Sequence, residues 1–264
     1  MVNINVITRD VRVTDLKYLW SLCFPGEEAY KDFFFTRIRD KNTSLLAEVN
    51  GKSVGMLHML PQTFVSPNGK HLPARYLYAI GAHPEYRGLG VARTLIERAL
   101  ESMWRRGDAV ATLVPGNSGL FRYYTRLGFE PCFIRPPADA PERVPRHQAV
   151  YRDIPQLQRI YDNAMKDRVH ILRNEARWQL FLDECRVTGG KILFSDLELA
   201  VLDYKGRVRE FLPAPMPGNG QPYGCARIVD TGKVRRWAGI DAKLGDSELT
   251  SRVFADAYMN LMFD

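Results

Sequence analysis

Residues Ala82 to Ala92 read AHPEYRGLGVA and carry more structural information than any other stretch of the chain. Before them lies a strand-like apolar run, Tyr76-Leu77-Tyr78-Ala79-Ile80-Gly81. After them Val91, Leu95, Ile96, Ala99 and Met103 recur at helical spacing, with Arg93, Glu97, Glu101 and Arg105 on the opposite face. A strand, a glycine-bearing loop and a helix start make an anion site, because unpaired N–H groups and the positive end of the helix dipole coincide there. Gly88 and Gly90 let a phosphate approach backbone that a Cβ would shield. Taken alone, the same residues also describe a plain strand-to-helix turn.

A second segment separates the two readings. Asn117 to Phe129 reads NSGLFRYYTRLGF and follows another short apolar run, Ala109 to Val114. With both segments in order, the chain resembles the GCN5-related N-acetyltransferases, the GNAT superfamily. Arg87-Gly88-Leu89-Gly90-Val91-Ala92 resembles the first signature, Arg/Gln-x-x-Gly-x-Gly/Ala, in the form Arg-Gly-x-Gly-x-Ala. Asn117, Tyr124 and Arg126-Leu127-Gly128-Phe129 match the second, and the resemblance covers roughly residues 1–135. It implies an α/β (α+β) GNAT fold, a central mixed sheet flanked by helices, with acetyl-CoA as co-substrate and no metal.

The resemblance also assigns roles. Pantetheine would pair along Ile80, Gly81 and Ala82, and the pyrophosphate would sit on the backbone N–H groups of Arg87, Gly88, Leu89, Gly90, Val91 and Ala92. Arg87 would add a charge-assisted contact. Asn117 would contact pantetheine or cap the following helix. Tyr124 would protonate the leaving thiolate, a transfer open to a phenol of pKa about 10 facing a thiol of about 8.5. Tyr123, turned by about 100° on the same helix, reads as packing. The base stays open: residues 72–82 contain no acid, which leaves His58, the terminal carboxylate of Asp264 or a water relay. His83 reads as structural.

Outward from these motifs, Asn3–Thr8 alternates as a first strand, and Thr14-Asp15 offers a cap before Leu16, Leu19, Trp20 and Cys23. A second helical stretch, Glu27–Ile38, carries Tyr30, Phe33, Phe34 and Phe35. Ser44–Val49, Asn50-Gly51 and Val54–Phe64 spell a hairpin, and Pro67-Asn68-Gly69 turns the chain into the strand Leu72–Ala82. Five prolines within residues 131–145 mark a connector. Beyond it, helices capped by Asp153 and Asn174 precede strands at Lys191–Ser195, Leu197–Tyr204 and Arg207–Leu212. Pro213–Gly224 is a loop, followed by a strand at Ala226–Val229 and a helix at Leu249–Met262.

These two halves predict a GNAT domain over residues 1–135 and a degenerate, motif-less GNAT-like module over residues 146–264. The arrangement is similar to the Eis-like acetyltransferases, without room for their full sterol-carrier-like third domain. Two further readings stay open: a non-catalytic CoA-binding scaffold, and a tandem-type aminoacyl transferase.

Composition bounds the rest. The chain has 264 residues, 45% apolar and 25% charged, ordinary for a soluble globular protein. Net charge is +7, from 37 Lys and Arg against 30 Asp and Glu, dispersed without a basic run. Nucleic acid is therefore not the expected partner. No run of about 18 apolar residues predicts a membrane span. Cys23, Cys132, Cys185 and Cys225 are too scattered for a zinc site and suit a reducing, cytoplasmic setting. The resemblance implies a small-molecule or peptide amine acceptor as partner; a homo-oligomer is compatible with the sequence.

Overall fold

Asn50 (φ 49°) and Gly51 (φ 76°) both take left-handed backbone, as a two-residue hairpin turn requires, and join β2 (Ser44–Val49) to β3 (Lys52–Val65). The computed structural model describes residues 2–39, 43–134, 143–213, 222–241 and 244–259. The chain opens with β1 (Asn5–Ile7), α1 (Val13–Cys23) and α2 (Glu28–Phe33), the last continued by a wider helical turn, Phe34–Ile38. Thr14 and Asp15 lie inside the first turn of α1 rather than ahead of it. Asp15 is held there by Arg12 and by the Ser53 hydroxyl.

After β3 come β4 (His71–Ala82), α3 (Val91–Arg106), β5 (Val110–Leu113), α4 (Gly119–Thr125) and β6 (Glu130–Ile134). Alternation along the strands sends side chains to two faces. Leu45, Leu57, Leu77 and Leu113 pack with Val91, Leu95, Ile96 and Met103 of α3. Leu46, Met56, Phe64 and Tyr76 pack on the other face with Leu16, Leu19 and Trp20 of α1. The result is a mixed sheet with helices on both sides, a GNAT fold.

The sheet runs β1-β2-β3-β4-β5-β12-β6, and β12 is Pro222–Ile228, from the far end of the chain. Ala226 pairs with Thr112 of β5 on one side and with Glu130 of β6 on the other. Ile134 and Pro222 face each other across the β12–β6 pair, so the chain leaves and re-enters the sheet at one point. Residues 135–221 are thus inserted at the end of an antiparallel pair.

The helices after β12 follow it into the first core. From α7 (Thr231–Ala238) and α8 (Asp246–Phe254), Val234, Trp237, Leu249 and Phe254 join the cluster under α1. Residues 222–228 of the expected module 146–264 thus pair in the first sheet, and α7 and α8 pack on its core. The sequence shows β12 only as the shorter run Ala226–Val229, and α7, capped by the Asp230 carboxylate on the Lys233 N–H, is not read at all. Pro136, Pro137 and Pro141 of the expected connector, residues 214–221 of the expected loop and residues 260–262 of the last helix lie outside the described residues.

What remains of the insertion is a small layer of its own. It holds β7 (His147–Gln148), α5 (Ile154–Met165), β8 (His170–Ile171), α6 (Glu175–Thr188), β9 (Lys191–Phe194), β10 (Leu199–Leu202) and β11 (Val208–Leu212). The order β11-β10-β9-β7 forms a second sheet, while β8 pairs with β3 of the first. Asn174 caps α6 as expected, accepting from the Arg177 N–H at 3.0 Å. Asp153 precedes α5 but accepts instead from the Val150 N–H. At the centre Arg173 is buried and grips Glu210 with two bonds of 2.9 and 2.8 Å, its guanidinium stacked on Tyr161 and Trp178. The Tyr258 hydroxyl also donates to Glu210 and ties the insertion to the returning chain. Removing one partner of such a pair leaves a buried charge uncompensated.

A fragment ending at residue 145 should therefore fail to melt cooperatively, since β5 loses its β12 neighbour and the core loses Trp237 and Phe254. Residues 1–134 joined to 222–264 by a short Asn-Gly turn should fold. Calorimetric melting of both checks this; a cooperative transition in the 1–145 fragment alone would contradict it.

Candidate active site

Strands β4 and β5 run parallel and pair only at Ala74–Val110, Arg75–Ala111 and Tyr76–Thr112. β5 ends at Leu113, so from Leu77 onward β4 has no β5 neighbour. Its pairing with β3 steps by one residue between Met56–Gly81 and His58–Tyr78. The extra residue is taken up around Ala79, at φ 48°, a left-handed value costly for a side chain with a Cβ. A bulge and a parting of strands together leave backbone N–H and C=O groups of β4 open to an extended ligand. The space beside them is a cleft of about 640 Å³, lined by Trp20, Ile80, Val114, Asn117, Phe121 and Tyr124 among others.

The predicted residues fall in two groups around this cleft. Ile80 lines it. Gly81 and Ala82 instead brace α1: a Cβ on Gly81 would lie 2.9 Å from the Cys23 sulfur, whose thiol donates to the Ala82 carbonyl at 3.5 Å. At the end of the strand, Arg87, Gly88, Leu89 and Gly90 form an exposed loop, Val91 is buried beneath it and Ala92 is partly covered. Gly88 and Gly90 have φ of 80° and 87°, with nothing within 4 Å of where a Cβ would stand. No side-chain hydrogen bond caps the start of α3. Open space, glycine backbone and an uncapped helix start fit the diphosphate of acetyl-CoA.

Tyr124 is 7% exposed and reaches the cleft from α4, its ring edge-on to Phe129 and Tyr123. Burial, then the neighbouring Tyr123 and Cys225, holds its pKa well above that of an ordinary phenol, so the hydroxyl keeps its proton. Tyr123 is half-buried toward Arg93 and Glu97 of α3. Asn117 lines the cleft, but its side chain does not cap α4; its main-chain carbonyl accepts from the Leu120 N–H at 3.1 Å.

The base candidates fare differently. His58 is wholly buried among Trp20, Phe34 and Phe35, with Nδ1 2.8 Å from the Ser44 hydroxyl. Burial, helped by Arg39, lowers its pKa to about 3, and it does not line the cleft. That removes it as a base: the site it would serve lies beyond the aromatic layer. His83 accepts from the Glu85 N–H, a structural turn contact. Asp264 lies outside the described residues.

Two residues that the motifs do not single out matter here. A Cβ on Gly55 would sit 2.4 Å from Val91, so this glycine lets α3 and its loop settle on β3. Glu27 lines the cleft, and partial desolvation raises its carboxyl pKa. The sequence shows it only as half of an acidic pair, Glu27-Glu28. Among the described residues no group of three or more His, Cys, Asp and Glu is placed to hold a metal ion. No described helix is long and apolar enough to cross a membrane.

Residues 8–132, which carry both the loop and Tyr124, match the family of the Acetyltransferase (GNAT) domain. This segment is a GNAT domain. An uncharacterised N-acetyltransferase of Methanocaldococcus jannaschii is 35% identical over 136 residues, 46% of this chain and 59% of that protein. The chain thus spans less than two thirds of the relative it matches. In fold it is similar to a GCN5-related N-acetyltransferase from Kribbella flavida (TM-score 0.63, 14% identity), covering 89% of this chain and 74% of the other. It is also similar to Eis1 from Mycobacterium abscessus (TM-score 0.54, 18% identity), covering 75% of this chain and 53% of that one. The likeness to the Kribbella structure extends well beyond the GNAT domain.

Replacing Gly88 or Gly90 with valine should weaken acetyl-CoA binding by roughly ten-fold or more, about 1.4 kcal/mol. Titration calorimetry measures the affinity, and melting controls for backbone strain at positive φ. Unchanged affinity in folded variants would make the loop a simple turn.

Proposed function

We propose that the chain is an N-acetyltransferase that takes its acetyl group from acetyl-CoA and places it on a primary amine of a small molecule or peptide. The observation that carries this reading is the sharing of one cleft by the open edge of β4 and the protonated Tyr124 hydroxyl, inside a GNAT domain. The glycine loop at the end of the same strand would hold the diphosphate through backbone N–H groups. Arg87, exposed beside it, would add charge without having to be desolvated first. The thioester would then lie along β4 with its sulfur toward Tyr124.

In the reaction the amine nitrogen forms a bond to the acetyl carbon while the carbon–sulfur bond breaks. Tyr124 gives its hydroxyl proton to the departing sulfur. Its burial opposes a free phenolate, so the proton shed by the nitrogen as it becomes an amide must restore the hydroxyl as it leaves. The inserted layer supplies the far wall of the cleft through Arg209 of β11, and we read it as the element that shapes the acceptor side. A kinship with the Eis-like enzymes is part of the proposal, supported by the likeness in fold to Eis1 and by an insertion behind the GNAT motifs.

Tyr124→Phe removes one oxygen and keeps the ring that packs on Phe129. Acetyl-CoA affinity should hold, while the single-turnover rate should fall by roughly 10²–10⁴-fold, the loss expected of a general acid. Tyr123→Phe should be mild. Equal rates for Tyr124→Phe and the unaltered chain would remove Tyr124 from the chemistry.

A further inference from the structure

A second cavity, of about 450 Å³, opens between α2, α6 and the β10–β11 hairpin. It shares Glu27, Tyr78 and Arg209 with the donor cleft, so the two spaces meet at these three side chains. Its size suits one small organic molecule. Tyr30, Phe181, Val187, Val201 and Tyr204 give it largely apolar and aromatic walls. No part of it belongs to the glycine loop or to α4, so it lies on the side of Glu27 away from the donor.

The charges lining it are mostly spoken for. Asp203 is paired with Arg207 at 2.7 Å, and Glu184 lies within electrostatic reach of Arg177. Glu28, next in sequence to Glu27, is bound by Lys31 and by the Ser21 hydroxyl. Glu27 differs: among the described residues no cation pairs with it and its carboxylate makes no hydrogen bond. It is exposed at the mouth of the cavity, where partial desolvation of the carboxyl raises its pKa. It is the one carboxylate at the junction of the two spaces.

Resting on the acetyltransferase reading, we propose that Glu27 receives the acceptor's ammonium and takes its first proton, and that the acceptor is a primary monoamine on an apolar or aromatic stem. The stem would fill the second cavity and the nitrogen would reach past Glu27 toward the thioester. One charged head suits one uncompensated carboxylate; the other carboxylates in the walls, Asp203 and Glu184, already have a cation beside them, which leaves the further charges of a polycation without a partner. Protons balance: the ammonium gives one to Glu27, which passes it to solvent, and the second restores Tyr124 after its own proton has gone to sulfur. The product is an amide and a free thiol.

The groups around Glu27 are Tyr30 on α2, the helix that Glu27 precedes, Tyr78 on β4, Glu184 on α6 and Arg209 on β11, with Asp203 and Arg207 at the hairpin and Tyr223 on the cleft side. Of these, Tyr30 is held protonated by burial, with its hydroxyl 3.1 Å from that of Tyr78. An acid-side titration would therefore have a carboxyl as its source.

The test uses the full chain loaded with CoA, and n-hexylamine, phenethylamine, hexanol and spermidine as probes in calorimetry. The unaltered chain should prefer the two monoamines over hexanol and spermidine. Glu27→Gln should weaken monoamine binding by roughly ten-fold or more, leave acetyl-CoA affinity unchanged and keep the melting temperature. Glu27→Asp should recover part of the loss. In turnover, kcat/KM should fall below the carboxyl's raised pKa for the unaltered chain and for Glu27→Asp, a limb absent from Glu27→Gln. Glu27-dependent monoamine binding without any acetylation would sink the acetyltransferase reading and leave this site standing. Equal binding of every probe by Glu27→Gln and the unaltered chain, or a preference for spermidine, would overturn it.

Discussion

Three residue pairs join β4 to β5, and the site exists because the pairing stops there. Arg75 is clamped by Asp108 at 2.9 Å with both side chains largely buried, and the Thr112 hydroxyl is bound to Gln62 and to the Arg75 carbonyl. These contacts hold the strands together at one end. Past Tyr76 the Ala79 bulge turns β4 and β5 runs out, so the strands part and a wedge opens between them. Closing it by extending the pairing would satisfy more backbone groups and would abolish the cleft. The fold thus leaves polar backbone exposed where an extended ligand can complete it.

The two faces of the sheet divide the labour. The α3 face is packed tightly enough that Gly55 is needed beneath Val91, which sets the height of the glycine loop above β3. The α1 face is aromatic: Trp20 packs on Phe34, Phe35, Tyr30 and Tyr78. That layer isolates His58 and also lines the cleft. The geometry of the glycine loop therefore rests on aliphatic packing around Gly55, and that of the cleft's other wall on ring packing around α2.

The features legible in the sequence are those whose cause is local. Gly88 and Gly90 need positive φ within a few residues of a helix start, and Tyr124 sits at a fixed distance from Asn117 and from the Arg126–Phe129 turn. The Asn50-Gly51 turn and the Asn174 cap likewise carry their reasons with them. The fate of β12 depends on partners about a hundred residues away, and an apolar run such as Ala226–Val229 is compatible with either sheet. Glu27 and Glu28 are chemically alike, and only the placement of Lys31 and of the two cavities separates their environments. The same holds for His58, whose pattern position is that of any strand residue until the aromatic layer is in place.

The meeting of Ile134 and Pro222 has a consequence for how the chain reaches this structure. As it emerges during synthesis, the N-terminal segment has the loop, Tyr124 and most of its sheet, yet β5 and β6 still await the strand between them. That strand arrives only after the whole inserted layer has been made. Until then β5 presents an open, apolar edge of Val110, Ala111, Thr112 and Leu113, the kind of surface on which strands pair wrongly. Closure over so long a stretch of chain is slow relative to local hairpins. The order of assembly is therefore built into the connectivity: the inserted layer and the segment that follows must be delivered before the N-terminal half can finish folding.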